Sequence, residues 1–262
     1  MSLPTTSERR PELVLNESPS DSIRLDGVGV RYRVPEQRIG TFKEYVIRLV
    51  QRRILTREFW ALQAVSLSIG RGEAFGIIGK NGAGKSTLLK VVSRVLRPTT
   101  GRVRVRGSVA PLLELGAGFH PELSGRENVY LNGTLLGHSR AEVDGQFEWI
   151  ESFADIGGFM DVPLRTYSSG MVARLGFAVA TAWEPDVLIL DEIFSVGDEA
   201  FQKKCKARMD SFRQGHTTLL LVSHAAETVR SMCTRAAWLE GGQVRAVGPA
   251  DEVTRQYSEA VA

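Results

Sequence analysis

The feature that most constrains this chain is a glycine-rich segment at residues 79–87, which reads Gly-Lys-Asn-Gly-Ala-Gly-Lys-Ser-Thr. It follows the apolar run Ala74–Ile78 and precedes the apolar residues of 88–92, so the order along the chain is strand, turn and helix. Glycines let the backbone curl so that successive N–H groups point inward, and the helix N-terminus adds positive potential. The segment therefore predicts a site for the phosphates of a nucleotide. The residues predicted to line it are Gly79, Asn81, Gly82, Ala83, Gly84, Lys85, Ser86 and Thr87.

Two side chains of this loop have predicted roles of their own, and a second segment downstream completes the pattern. Lys85 can reach the β- and γ-phosphates, and the Ser86 hydroxyl can ligate Mg²⁺. The apolar run Val187–Leu190 ends in two carboxylates, Asp191 and Glu192. Asp191 is predicted to hold Mg²⁺, and Glu192 to orient and deprotonate the attacking water. ATP and Mg²⁺ are thus the predicted cofactors of a catalytic P-loop site.

Composition and charge exclude several classes. No apolar run in the 262 residues is long enough to span a bilayer, and the N-terminus lacks the pattern of a signal peptide. Cys205 and Cys233 are too few and too poorly flanked for a disulfide framework or a metal site. The net charge of +3 is compatible with an anionic neighbour but is ordinary for a solvated surface. A soluble protein that stays inside the cell is expected.

Apolar periodicity along the chain predicts an α/β fold, with a doubly wound core that carries an accessory helical lobe. Residues 1–20 are rich in Pro, Ser, Thr and Glu and are predicted to form a flexible leader. Helical patterns over about 124–183 predict the lobe. The predicted strands comprise two before the glycine-rich turn, a small sheet after it, two central strands and a late hairpin. They are Ile23–Tyr32 and Ala64–Ile69; Arg102–Arg106 and Val109–Leu113; Val187–Leu190 and Thr217–Val222; and Ala236–Leu239 with Gln243–Val247.

A basic amphipathic helix is predicted between the first two strands, over about 41–57. Phe42, Tyr45 and Val46 begin an apolar stripe that continues through Leu49 and Val50. The opposite face carries Lys43, Arg48, Arg52 and Arg53. Such a helix either packs its stripe on its own domain or lies at a membrane or against a membrane partner, and the sequence leaves both open.

A third motif, Tyr167-Ser168-Ser169-Gly170-Met171, stands before an apolar helix predicted at Val172–Trp183. Serines at a helix start can simply cap it, but a helix N-terminus is also an anion site. At this point the chain resembles the ABC ATPases, whose signature is Leu-Ser-Gly-Gly-Gln. The resemblance implies that Ser168, Ser169 and Gly170 contact the γ-phosphate held by another copy, in a homodimer that sandwiches two nucleotides. It also implies a RecA-like parallel sheet core with an antiparallel β-subdomain and an α-helical subdomain.

Other elements of that family occur in the same order. Asp198, in Ser195-Val196-Gly197-Asp198, is at the D-loop position, and His224 matches the switch histidine that contacts the γ-phosphate. Glu114 stands where the family has a glutamine, as a candidate ligand of Mg²⁺ or of a water. The family stacks adenine on an aromatic residue, for which Tyr32 is the matching position. Phe59 and Trp60 are rivals.

The departures indicate a subfamily. Three segments, Leu112–Asn132, Tyr167–Leu175 and Ser195–Cys205, resemble the ATPase subunits of O-antigen, capsule and teichoic-acid exporters, and the likeness runs from about residue 22 to about 258. It implies a homodimer at the cytoplasmic face of the inner membrane, beneath two copies of a membrane-spanning permease that exports a lipid-linked polysaccharide. Leu115–Arg126 would contact that permease. After the hairpin there is no room for a C-terminal carbohydrate-binding domain, so residues 21–262 are expected to form one nucleotide-binding domain.

Three rival classes of protein fit the sequence less well. An importer or drug-exporter ATPase is the main alternative, but these transporters usually keep the glutamine and the Leu-Ser-Gly-Gly-Gln signature. A DNA-repair or translation-factor ATPase needs a long coiled-coil insertion or a second nucleotide domain, so no nucleic-acid partner is expected. A non-catalytic regulator would typically lack Glu192 or His224, and both are present.

Overall fold

The computed structural model describes residues 21–35, 56–112, 116–191 and 198–261. The leader over 1–20, the basic segment over 41–55, Glu114 and Glu192 lie outside these ranges. The described strands are β1 (Asp21–Pro35), β2 (Thr56–Gly70), β3 (Ala74–Ile78), β4 (Thr100–Val105), β5 (Val109–Leu112), β6 (Val187–Asp191), β7 (Thr218–Ser223), β8 (Arg235–Glu240) and β9 (Gln243–Pro249). The described helices are α1 (Lys85–Val92), α2 (Gly125–Leu135), α3 (Arg140–Ala154), α4 (Ser169–Ala180), α5 (Glu199–Gln214), α6 (Ala226–Met232) and α7 (Ala250–Val261).

A small antiparallel sheet has the strand order β2-β1-β4. Its inner face is apolar because alternate residues point to one side of a strand, and those of β1 and β2 are aliphatic. They pack with helix α1 and with the inner face of β3 in one buried cluster. The predicted strand Ala64–Ile69 is the second half of a longer strand that starts at Thr56. Register shifts interrupt the pairing of β1 with β2 at four points, and Ala64 has a positive φ of 51°.

The larger sheet has the order β5-β6-β7-β3-β8-β9. The first five strands in that order are parallel, and β9 closes the edge antiparallel to β8. Strands β3, β6 and β7 are almost entirely buried because helices cover both faces, as continuous apolar runs predict. The α/β fold predicted from the sequence, with its antiparallel subdomain, is confirmed. The late hairpin is also found, with Gly241 and Gly242 at positive φ in its two-residue turn.

One predicted strand belongs to a different sheet. The run at Val109–Leu113 was expected beside Arg102–Arg106 in the small sheet, but β5 pairs in parallel with β6 instead. The carboxylate of Asp186 accepts hydrogen bonds from the backbone N–H of Ser108 at 2.8 Å and from its hydroxyl at 3.0 Å. The N–H of Val187 donates to the Ser108 carbonyl at 3.0 Å. These contacts fix the start of β5 against the start of β6.

The helices between β5 and β6 pack around an apolar cluster of their own, formed by α2, α3 and α4. Helices α2 and α3 each begin with a capping box, in which Ser124 pairs with Glu127 and Ser139 with Glu142. In the described part of the chain, no helix is both long and apolar enough to cross a membrane.

Candidate functional site

The glycine-rich turn connects β3 to α1 and is held by its own backbone. Gly82 and Gly84 have φ values of 82° and 104°, in a region that side-chain-bearing residues rarely adopt. The Lys85 ammonium donates to the carbonyl of Gly79 at 2.7 Å and to that of Lys80 at 3.1 Å, and only 8% of the residue is exposed. The lysine is therefore drawn into the loop that it was predicted to serve.

Neighbouring strands leave no room for side chains at two of the glycines. A Cβ at Gly79 would lie 2.3 Å from the carbonyl oxygen of Leu239 in β8, and one at Gly84 would lie 2.5 Å from that of Ala61 in β2. The turn between β8 and β9 supports the loop directly, because the N–H of Gly242 donates to the Ala83 carbonyl at 3.0 Å. The loop is thus enclosed on the side away from bulk solvent.

Strand order brings three predicted site elements to one edge of the large sheet. Strand β7 lies between β3 and β6, with Ile78 paired to Ser223 and Asp191 paired to Val222. Because parallel strands end at the same edge, the glycine-rich loop after β3, Asp191 at the end of β6 and the exposed His224 after β7 are neighbours there. Ligands of open α/β sheets bind at this edge.

The residues at this edge suit a nucleotide with a divalent cation. Ser86 is exposed in the first turn of α1, and the Asp191 carboxylate ends β6. Both are oxygen donors of the kind that Mg²⁺ prefers, and Mg²⁺ is usually held by one or two protein groups together with substrate phosphates. Within the described residues there is no cluster of three or more His, Cys, Asp or Glu side chains that would form a cation site of its own.

The predicted signature lies on the helical lobe, at the start of α4. The Ser168 hydroxyl accepts a hydrogen bond from the N–H of Met171 at 3.2 Å, so Ser168 is the N-cap and the helix starts at Ser169 rather than at Val172. Ser168 and Ser169 are exposed and Gly170 is half-buried. The first turn of α4 is thus presented to the outside.

Asp198 is the N-cap of α5 and uses both carboxylate oxygens. Oδ1 accepts from the N–H of Phe201 at 2.9 Å, and Oδ2 accepts from the Arg174 guanidinium at 2.7 Å. The hydrogen bond from Phe201, followed by the attraction of Arg174, holds the pKa of this carboxyl below its ordinary value. Asp198 is therefore ionised at neutral pH.

The strand faces separate the three aromatic candidates for adenine. Tyr32 follows Val30 by two residues, so both are on the inner face of β1, and Phe59 is its cross-strand partner. A Cβ at Gly84 would lie 3.0 Å from the side chain of Leu62, the partner of Val30, so this face is the one next to the glycine-rich loop.

Trp60 pairs with Arg31 on the outer face of the same sheet. The Arg31 guanidinium carbon is 5.4 Å from the centre of the indole ring. The faces therefore favour Tyr32 and Phe59 over Trp60 as neighbours of the loop.

Two side chains that the sequence reasoning missed organise these surroundings. Asn128 is fully buried, and its side chain bonds to the backbone of His120, Leu123 and Ser124 in the segment predicted to meet a permease. Arg174 joins α4 to Asp198 across 24 residues of sequence. A polar residue among the apolar positions of a helix was the available signal for both, but the sequence does not show its partner.

Comparison with known proteins agrees with this geometry. The family model described as ABC transporter matches residues 62–195. The O-antigen export system ATP-binding protein RfbB of Klebsiella pneumoniae is 50% identical over 79% of this chain and 84% of its own length. RfbB of Myxococcus xanthus is 48% identical over 84% of this chain, which spans about half (51%) of that relative. A teichoic acids export ATP-binding protein, TagH of Levilactobacillus brevis, is 41% identical over 77% of this chain and 55% of its own length.

Solved structures agree on the fold. An ATP-binding cassette determined as a dimer in a post-hydrolysis state with ADP and phosphate matches 87% of this chain, with a TM-score of 0.67 and 21% identity. An ATP-binding subunit of an ABC transporter matches 92%, with a TM-score of 0.70 and 22% identity. The chain belongs to the ABC transporter family of ATP-binding subunits, within the group of O-antigen and teichoic-acid export ATPases. Domains of this family bind ATP and couple its hydrolysis to transport.

Proposed function

We propose that this chain is the ATPase subunit of an exporter of a lipid-linked polysaccharide, such as an O-antigen, galactan, capsule or teichoic-acid-like polymer. It works as a homodimer bound to two copies of a membrane-spanning permease, at the cytoplasmic face of the inner membrane. The observation that carries the ATPase part is the edge where the glycine-rich loop, Asp191 and His224 meet. The names of the relatives, which are O-antigen and teichoic-acid export proteins, support the cargo class.

Each site residue has a task in this proposal. Backbone N–H groups of residues 79–84 and the Lys85 ammonium hold the triphosphate, and Tyr32 stacks on adenine. Ser86 and Asp191 would hold Mg²⁺, which supplies charge neutralisation at the phosphates, with Glu114 as a further candidate ligand.

Two residues act on the reacting groups. Glu192, which lies outside the described residues, orients the attacking water and accepts its proton. His224 contacts the γ-phosphate from the end of β7. Both roles stay predictions.

The exposed start of α4 is the reason for proposing a homodimer. Ser168, Ser169 and Gly170 present a capped helix N-terminus, which attracts anions, on the surface of the helical lobe. In the proposed dimer this surface closes on the nucleotide held by the partner's loop. ATP binding then joins the two copies, and hydrolysis separates them.

The proposal is tested with Glu192→Gln and Lys85→Ala in the full chain. We expect Glu192→Gln to lower turnover at least about 100-fold, because general-base catalysis typically contributes this much, while ATP binding persists and an ATP-dependent dimer accumulates. Lys85→Ala should weaken binding itself. Nucleotide titration, phosphate release and gel filtration with ATP separate the two effects, and normal hydrolysis by Glu192→Gln would contradict the assignment.

The cargo needs a separate measurement in cells. Depletion of the chain should cause a lipid-linked glycan to accumulate on the cytoplasmic side, and a membrane permease should copurify with the chain. Unchanged glycan export after depletion would reject the exporter assignment while leaving the ATPase assignment intact.

A further inference from the structure

Arginine side chains link helices α4 and α5 at two places. Near their starts, the Arg174 guanidinium of α4 lies 4.9 Å from the centre of the Phe201 ring of α5. Two turns further along, Arg208 of α5 donates to the Thr181 carbonyl just beyond the end of α4, at 2.6 and 3.0 Å. The two links have different chemistry. Arg174 donates to the Asp198 carboxylate as well as to one backbone carbonyl, whereas Arg208 donates to the backbone carbonyls of Thr181 and Ala182.

The first link belongs to a small network of polar contacts around Arg174, whose side chain is only 18% exposed. One guanidinium nitrogen donates to Asp198 Oδ2 at 2.7 Å, and the other donates to the backbone carbonyl of Asp155 at 3.1 Å. Asp155 ends α3 in the left-handed conformation, and its carboxylate accepts from Lys204 of α5 at 3.2 Å. The network thus joins the end of α3 and the middle of α4 to the start of α5.

Two predicted site elements meet at this network. Arg174 lies six residues after Ser168, which is about 9 Å along the axis of α4. Asp198 occupies the predicted D-loop position and starts α5. A charge-assisted hydrogen bond with a planar guanidinium fixes direction as well as distance. The orientation of the serine-capped helix start is therefore transmitted to Asp198.

We propose that Arg174 is a positioning residue that holds the start of α4 and Asp198 in one fixed relation, so that both reach the partner's nucleotide together when the dimer closes. This inference rests on the proposed function. Arg174 touches neither nucleotide nor reacting atoms in it, and acts through Asp198. Its loss should therefore weaken closure of the dimer and leave nucleotide binding by a single protomer unchanged.

The test compares the wild-type chain with Arg174→Ala, Arg174→Lys, Asp198→Asn and the Arg174→Ala/Asp198→Asn double variant. Dimerisation with ATP is measured by light scattering in the Glu192→Gln background, and the monomer's affinity for a fluorescent ATP analogue is measured without Mg²⁺. We expect Arg174→Ala to weaken dimerisation about tenfold, the change that loss of one charge-assisted hydrogen bond produces, with unchanged monomer affinity. The double variant should be no worse than either single one, because the two groups act as a unit. Arg174→Lys should recover part of the loss.

Two control variants separate positioning from general stability. Lys203 pairs with Glu199 on the exposed side of α5 at 2.8 Å, so Lys203→Gln removes a salt bridge from the same helix and should change nothing. Arg208→Met removes the hydrogen bonds from Arg208 to the Thr181 carbonyl. It should lower the melting temperature while dimerisation stays close to that of the parent chain.

Two results would overturn this inference alone. One is that Arg174→Ala and Asp198→Asn weaken dimerisation additively, and the other is that Arg174→Ala dimerises as strongly as the parent chain. Absence of any ATP-dependent dimer in the Glu192→Gln background with Arg174 and Asp198 intact would overturn the proposed homodimer and the inference with it. If Arg174→Ala fails to fold, Asp198→Asn and Arg174→Lys give the same comparison.

Discussion

The starts of α1 and α4 are two candidate anion sites built in opposite ways. The start of α1 has no side-chain cap, and the backbone of β2 and β8 packs against its glycines. The start of α4 is capped by the Ser168 hydroxyl, faces solvent and is supported from behind by side chains such as Arg174. The first site is enclosed by a single chain. The second has an open side, as expected of a surface that works on something outside its own protomer.

The glycine-rich loop before α1 should lose its conformation when a side chain is added where the backbone of β2 or β8 lies close. Glycine substitutions are therefore expected to have the largest effect. We expect Gly79→Ala to destabilise the fold by about 2–3 kcal/mol, because the new Cβ meets a backbone carbonyl that cannot move aside, and to abolish nucleotide binding. Gly82→Ala should cost only about 1 kcal/mol, since its Cβ meets nothing within 4 Å and only the positive φ is strained. Urea unfolding and nucleotide titration measure both effects. Equal losses in the two variants would show that crowding by β8 does not shape the loop.

The difference between the two sites also explains what the sequence could predict. The glycine-rich loop is a local pattern of nine residues between a buried strand and a helix, so its residue types state its conformation. The capping serine at 168 is equally local. The ties behind α4 are not local. Nothing in the sequence says which arginine meets Asp198, because such a pair depends on how two helices pack.

The misplaced strand β5 shows the same limit. A short apolar run predicts a strand but not its sheet, since pairing is decided by contacts with distant residues. Here Asp186, 78 residues beyond Ser108 in sequence, fixes the choice through its side chain. The central position of β6 and β7, in contrast, is predicted because short, wholly apolar runs are typical of strands in the middle of a sheet covered on both faces.

Substitutions of Tyr32 and Trp60 test which face of the small sheet contacts adenine beside the glycine-rich loop. We expect Tyr32→Leu to weaken ATP binding about fivefold, because an aromatic stack is worth about 1 kcal/mol, and to weaken GTP binding by a similar factor. Trp60→Leu is the matched control on the outer face of the same sheet, where it stacks with Arg31. The two residues are almost equally exposed, at 36% and 37%, so the variants differ mainly in the face that they alter. A larger effect of Trp60→Leu on ATP binding would show that adenine binds at the outer face of the small sheet, which contradicts the assignment to Tyr32.

The smallest expected difference between the two regions is in the reactivity of their cysteines, Cys205 and Cys233. Burial raises the pKa of both thiols to about 12, so neither reacts appreciably at pH 8 while the chain is folded. Cys233 lies under the strand that leads into the loop, since a Cβ at Gly76 would be 3.2 Å from its sulfur. Cys205 is on α5, one turn past the network of Arg174. Cys233 itself is the C-cap residue of α6 and packs against the central strand β3. Because a region held by partly exposed side chains opens locally more often than one packed on a central strand, Cys205 should react faster with a thiol reagent.

The same thiols set a direction for the pH dependence of stability. Unfolded cysteines lose their protons near 9, whereas the folded ones keep them to about 12, so the folded state binds more protons between these values. Stability should therefore fall as pH rises from 9 towards 12. Cys205→Ser and Cys233→Ser should each reduce this loss of stability in urea titrations at pH 8 and pH 10.

In the labelling experiment with the thiol reagent, Arg174→Ala should increase the reaction rate of Cys205 alone. Faster reaction of Cys233, or equal acceleration of both, would mean that helix α5 and the surroundings of the glycine-rich loop open as one unit and are not separately stabilised.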